Sequence, residues 1–270
     1  MAGQSGKGVR KGELLMIRRI TSASLPVLLA CCGAPRDSTS TVALLAQCEA
    51  TAMLVPSSVG ENLRRKAEEA ARSCVLALDH DLSDSERAQA TLHHGILMAY
   101  LGRRDEAIES LRAAVTLDSG RPLAHYQLGI ALFYGAREME LEGKGALAKM
   151  AYGEAIIHLK EATKSDDLGH DRYAYLAMAL WSAGLHEEAI DAYREDVRLN
   201  PSDRRRRIGL AWDLNFLGRH EEALAAFADA DLATPATALD EDTEMTREIR
   251  AASSRGERWQ GWDDTTRYMR

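Results

Sequence analysis

The chain has 270 residues, of which 46% are hydrophobic and 28% charged, and carries a net charge of −7. That is the composition of an ordinary folded body, and the acidic balance offers no electrostatic case for nucleic acid, which needs a clustered basic face. Six prolines and few Val/Ile runs argue against sheet, while Ala, Leu, Glu and Arg, all strong helix formers, dominate.

Residues 1–30 read as a targeting segment. Lys7, Arg10, Lys11, Arg18 and Arg19 stand against one acid, Glu13, and Leu25-Pro-Val-Leu-Leu-Ala30 then runs into Cys31-Cys32-Gly33. A positive stretch, an apolar stretch and a small residue form the layout of a secretory signal. Leu28-Leu29-Ala30-Cys31 resembles the lipobox of bacterial lipoproteins, although Leu29 stands where that family usually has a small residue. The resemblance implies lipidation of Cys31 and a lipid-anchored, periplasm-facing place in the bacterial cell envelope. A cytoplasmic chain with an inert N-terminal tail is the alternative. Met16-Ile-Arg-Arg is a second possible start. Residues 31–41, small and polar after Cys32, are expected to form a flexible tether.

Residues 42–87 are expected to form a degenerate helix pair. One apolar stripe runs through Leu44, Leu45, Cys48 and Ala52, and a second through Ala67, Ala70, Ala71, Cys74 and Ala77. Pro56-Ser-Ser-Val-Gly60 separates them. Cys48 and Cys74 admit two readings: a disulfide, which an oxidising compartment would permit, or two small buried thiols.

From residue 88 the pattern becomes periodic. Gly184, Ala189, Tyr193 and Pro201 recur 34 residues later as Gly218, Ala223, Phe227 and Pro235. Self-similarity at that period is the mark of a helical repeat array. Four units can be aligned over 88–237. The first helix of each carries a small residue (Gly95, Gly129, Ala177, Ala211), and the second an alanine (Ala107, Ala155, Ala189, Ala223) followed by a larger residue (Leu111, Leu159, Tyr193, Phe227). Gly102, Gly184 and Gly218 end first helices, where a left-handed backbone suits glycine. Ala107 to Ala155 spans 48 residues rather than 34, so an insertion near 135–150 should lengthen both helices of the second unit. Asp196 stands where the other units have Ala114, Ala162 and Ala230, which questions the packing of the third unit on the fourth. Residues 238–270 are expected to provide a capping helix and a tail.

On these residues the chain resembles the tetratricopeptide repeat family. The resemblance implies an all-α fold, a right-handed superhelical array of antiparallel helix pairs (a TPR solenoid), whose first helices line a concave groove. Carried onto this sequence, the groove positions include Tyr100, Tyr126, Ile130, Phe133, Tyr134, Met178, Trp181, Trp212 and Phe216, with Leu92 and Ile96 in the first repeat. An aromatic lining of this kind suits an apolar or helical segment of another protein. The clamp with which some relatives hold chaperone tails is absent, because its first-repeat positions are Leu92 and Ile96.

No zinc-like histidine spacing, phosphate-binding loop or nucleophile–base pair is found. The expectation is a non-enzymatic scaffold that uses no cofactor or metal and binds a protein, with no nucleic acid. It reaches the membrane through its lipid if Cys31 is processed. A soluble cytoplasmic scaffold or regulatory subunit is the second expectation. Arg204-Arg-Arg-Arg207 is read as a solvated run opposing the helix dipole, offset by Asp203.

Overall fold

A computed structural model describes residues 38–55, 61–166, 171–232 and 244–261. The targeting segment, Cys31 and the residues after 261 lie outside that set, and the described residues all belong to one compact unit starting at Ser38. Among them are eleven helices and no strand: α1 (Ser38–Leu54), α2 (Glu61–Leu78), α3 (Asp84–Tyr100), α4 (Arg104–Leu117), α5 (Pro122–Leu141), α6 (Gly145–Ala162), α7 (Arg172–Ser182), α8 (His186–Leu199), α9 (Arg204–Phe216), α10 (His220–Leu232) and α11 (Glu244–Ser254). The first helix takes in the last residues of the expected tether. None of these helices is long and apolar enough to cross a membrane.

Each odd-numbered helix packs on the even one that follows, and each pair packs on the next. Small residues set the distance within a pair. A Cβ built on Gly95 would lie 2.6 Å from Leu111 Cγ, and one on Gly129 would lie 2.6 Å from Leu159 Cγ. The same leucine therefore fills the same hole in two successive repeats, where a methyl group would collide with it.

The insertion lengthens α5 to 20 residues and α6 to 18, against 17 and 14 for α3 and α4. The two helices turn at Gly143, whose φ of +76° lets Lys144 N–H reach back to Met139 O at 2.8 Å. This is the turn that also closes the first helix at Gly102, Gly184 and Gly218. Gly256, with φ +68°, closes α11 in the same way through Glu257 N–H to Ala252 O at 2.9 Å. The capping helix thus ends like the first half of a further repeat.

At the other end α1 and α2 are joined by a Cys48–Cys74 disulfide, with Cα atoms 5.1 Å apart. Gln47 Oε1 accepts from Ser73 Oγ at 3.0 Å beside it. Closing a loop of this length stabilises a fold by about 3–4 kcal/mol in the chain-entropy account. It secures a terminal pair that has a neighbour on one side only.

A ladder of exposed ion pairs runs along the even-numbered helices. Arg112 pairs with Glu154 at 2.8 Å, Lys160 with Glu188 at 2.9 Å and Arg194 with Glu222 at 2.6 Å. The cations are spaced 48 and then 34 residues apart and the acids 34 and 34, following the repeat. Each rung contributes at most about 1 kcal/mol, but a rung can form only when neighbouring repeats sit in register.

Candidate interaction face

The odd-numbered helices carry the residues that the sequence placed in a groove, and burial divides them. Tyr100, Tyr126, Ile130, Tyr134, Met178, Trp212 and Phe216 are half-buried against the core. Phe133 and Trp181 are not available to a partner. Phe133 is fully buried, 5.3 Å from the Tyr134 ring and 5.9 Å from that of Tyr152. Trp181, 8% exposed, meets Phe216 edge-on at 5.1 Å and His186 at 4.4 Å. It holds α7 on α9, so its place is the core. Leu92 and Ile96 are buried as well. One residue along a helix swings a side chain by about 100°, enough to move it from the face to the seam with the next repeat, and the family's groove positions do not resolve that difference.

What remains accessible centres on three phenols. Tyr175 on α7 meets Tyr126 at 5.9 Å and Tyr134 at 6.4 Å, both edge-on, so α5 and α7 share one aromatic cluster. Tyr175 was missed from sequence because its neighbour Ala174 occupies the family's position. Burial pushes the Tyr126 hydroxyl above its ordinary range, and the negative charge of Asp171 adds to this. Burial also raises Tyr175, assisted by Tyr134. The Tyr126 and Tyr175 hydroxyls therefore stay protonated and able to donate at any physiological pH.

Beside Tyr126 lies the join between the third and fourth repeats. Asp196, 2% exposed, takes Arg206 Nη1 on both its oxygens at 2.5 Å. Arg206 also reaches Asp171 at 2.5 Å and Asp203 at 3.1 Å. Burial lifts the Asp196 carboxyl above the usual aspartate range even with this partner. Burial works against the Arg206 charge too, but Asp196 and Asp171 outweigh it and hold the guanidinium cationic. The arginine run is thus not simply a solvated face, since Arg206 is turned inward as a clamp on α7, α8 and α9. Asp203 also caps α9 by accepting from Arg205 N–H at 3.0 Å, which answers the charge opposing the helix dipole.

The far end of the face is covered by the chain itself. Asn215 on α9 accepts Trp259 N–H at 3.0 Å and donates to Glu257 O at 2.9 Å and Ser253 Oγ at 2.9 Å. These bonds lay the segment after α11 over α9 and bring the Arg258 guanidinium 3.8 Å above the Phe216 ring. Among the described residues no group of three or more His, Cys, Asp or Glu side chains could hold a metal ion.

Comparison with known proteins fits this geometry. The tetratricopeptide repeat model matches residues 88–120 and 171–203, which hold α3 with α4 and α7 with α8. The chain carries tetratricopeptide repeats. Small glutamine-rich tetratricopeptide repeat-containing protein 2 of Mycosarcoma maydis is 27% identical over 133 residues, 49% of this chain and 33% of that protein. The chain therefore spans about a third of the length of that curated relative. Among solved structures, a crystal structure of MamA superimposes with a TM-score of 0.51 at 25% identity, covering 64% of this chain and 91% of that one. YrrB, described as a TPR protein with an unusual peptide-binding site, gives 0.53 at 20% identity over 69% of this chain and 84% of its own. The second likeness speaks for the fold alone.

Proposed function

We propose that this tetratricopeptide array is a non-enzymatic scaffold that holds an apolar or helical segment of another protein on its odd-numbered helices. The observation that carries the reading is the Tyr126–Tyr175–Tyr134 cluster. Three half-buried phenols present broad apolar faces with donor hydroxyls at low entropic cost, the composition from which protein-binding hot spots are built. The tail over Phe216 closes one end of the face, which confines the partner to the surface of α3, α5 and α7. The peptide-binding site named for YrrB is consistent with such a use.

We further propose that the array is lipid-anchored through Cys31 in a bacterial envelope. The Leu28-Leu29-Ala30-Cys31 motif supports this, and a Cys48–Cys74 bridge in the body suits an oxidising compartment.

A photo-crosslinking residue placed at Tyr134 in cells should capture a partner, and Tyr175→Ala in the same chain should reduce capture by roughly tenfold at a temperature where circular dichroism shows the array still folded. Capture that Tyr175→Ala does not reduce would refute the interaction face. Intact mass separately tests the anchor: a mature chain starting at an acylated Cys31 is expected, and an unmodified chain retaining residues before Cys31 would move the protein to the cytoplasm.

A further inference from the structure

The hairpin made by the insertion exposes large apolar side chains. Leu141 is 67% exposed, Leu147 55%, Met150 73% and Ile157 68%. Together they expose roughly 400 Å² of apolar surface, and Met150 and Ile157, with Leu147 at their flank, share the outward side of α6. They are also ordered. Ala146, Met150, Gly153, Ile157 and Lys160 follow one another at helical spacing along the outward side of α6, opposite the buried Ala148, Tyr152, Ala155 and Leu159. Glycine is a weak helix former and has no internal reason to stand at 153, because a Cβ there would meet nothing within 4 Å.

We propose that this stripe is the contact between two copies of the chain, with α6 packed antiparallel on its twin about a two-fold axis through Gly153. A two-fold interface demands a patch that fits itself, and this stripe meets that demand. Met150 lies three residues before Gly153 and Ile157 four after it, so in the antiparallel pair each copy's Met150 and Ile157 straddle the other's glycine. The missing side chain lets the two backbones approach closely. Ala146 at one end then lies opposite Lys160 of the second copy at the other, and Leu141 and Leu147 widen the contact near the turn. A standard interface takes about 800 Å² from each partner. The apolar side chains supply about half of that as a core, and Lys149 with the Arg112–Glu154 and Lys160–Glu188 ion pairs supplies the polar rim.

A lipid surface is the less favoured occupant. Around the turn, Arg137, Lys144 and Lys149 are matched by Glu138, Glu140 and Glu142, so the hairpin tip presents no net positive charge to anionic headgroups.

Sedimentation equilibrium tests the proposal on the full chain carrying Cys31→Ser and Cys32→Ser, which removes acylation and stray thiols. A reversible monomer–dimer equilibrium is expected. Ile157→Glu should weaken it on the order of a hundredfold without lowering the melting temperature, since the residue is exposed in the monomer. Gly153→Leu should also abolish the dimer while leaving the monomer at least as stable, and Gly153→Cys should form an interchain disulfide under mild oxidation where Arg65→Cys does not. A chain that stays monomeric at every concentration, or a dimer indifferent to both Ile157→Glu and Gly153→Leu, would overturn the assignment. So would a monomer that sediments with phosphatidylcholine vesicles and loses that property on Ile157→Glu, which would give the stripe to a membrane.

Discussion

The early repeats and the late ones solve the same packing problem with different chemistry. Where α4 and α6 meet the following repeat, Ala114 and Ala162 are buried and bring no polar group to that position. At the equivalent place in α8 stands Asp196, also buried, and the seam closes around Arg206, Asp171 and Asp203. An alanine seam is tolerant of its neighbours because dispersion and burial are not directional. An ion-paired seam is directional, since it works only when all its members are present and it penalises any that is missing. The late repeats therefore hold a defined relative placement through few groups. One consequence falls on the interaction face, because Tyr126 lies beside Asp171 and shares its surroundings.

The largest effect should come from breaking the polar seam on one side. Arg206→Met leaves Asp196 buried without its cation and should cost about 3–5 kcal/mol in chemical unfolding. The double change Asp196→Ala with Arg206→Met restores the buried alanine of the other repeats at this position and should return stability to within about 1 kcal/mol of the parent. If the double variant remains as unstable as the single, the seam is not a self-contained unit. The aromatic end of the same seam comes next: Trp181→Ala should cost about 3 kcal/mol, because the indole fills the space between α7, His186 and Phe216. In the early repeats Gly129→Ala should cost about 1–3 kcal/mol by forcing Leu159 from its place, against the usual gain from replacing a helical glycine.

The smallest effect is a difference in pH response. Burial holds His93, His94 and His158, all in the first two of these repeats, below the ordinary value of 6.5, and His125 at 3.0 Å adds to the effect on His158. The native state then binds fewer protons than the unfolded chain, so this stability is complete above about pH 6.5 and is lost as the pH falls below it. Asp196 has the opposite sign: its raised carboxyl makes the native state bind more protons above the ordinary aspartate value of 3.8, so its contribution declines as the pH rises from there. The melting temperature should fall between pH 7 and about pH 5, and His158→Gln should flatten part of that slope. A slope unchanged by His158→Gln would place the proton uptake elsewhere.

Much of the fold was legible in the sequence because its causes are local and recur. Glycine at a left-handed helix end, a small residue where two helices cross and a 34-residue period each depend on a few neighbouring positions, so repetition exposes them. The long α5–α6 hairpin could be read in the same way, as an interruption of the period at a place where helix formers continue. The composition of the face was legible too, but not its membership. Phe133 and Trp181 are aromatic and lie at the family's groove positions, yet they are buried; Tyr175 lies one residue from such a position and completes the cluster. That distinction depends on the rotation of each helix against the next, which is fixed by all the side chains of a seam at once.

The tertiary structure alone decided the long-range polar contacts. Nothing local marks Asp196 and Arg206 as partners, since an acid in an alanine position and a cation in an arginine run each look like a flaw or a solvated surface when taken singly. The ion-pair ladder from Arg112 to Glu222 was hidden for a related reason: each rung joins helices of different repeats, and only folding brings them side by side. The same holds for Asn215 and the tail, where one buried amide selects the segment that covers Phe216. The sequence by itself thus determined the repeat, its turns and the aromatic character of one face, because these follow from short-range sterics and burial. Which side chains remain on that face, and what closes its ends, was settled by contacts between residues tens of positions apart.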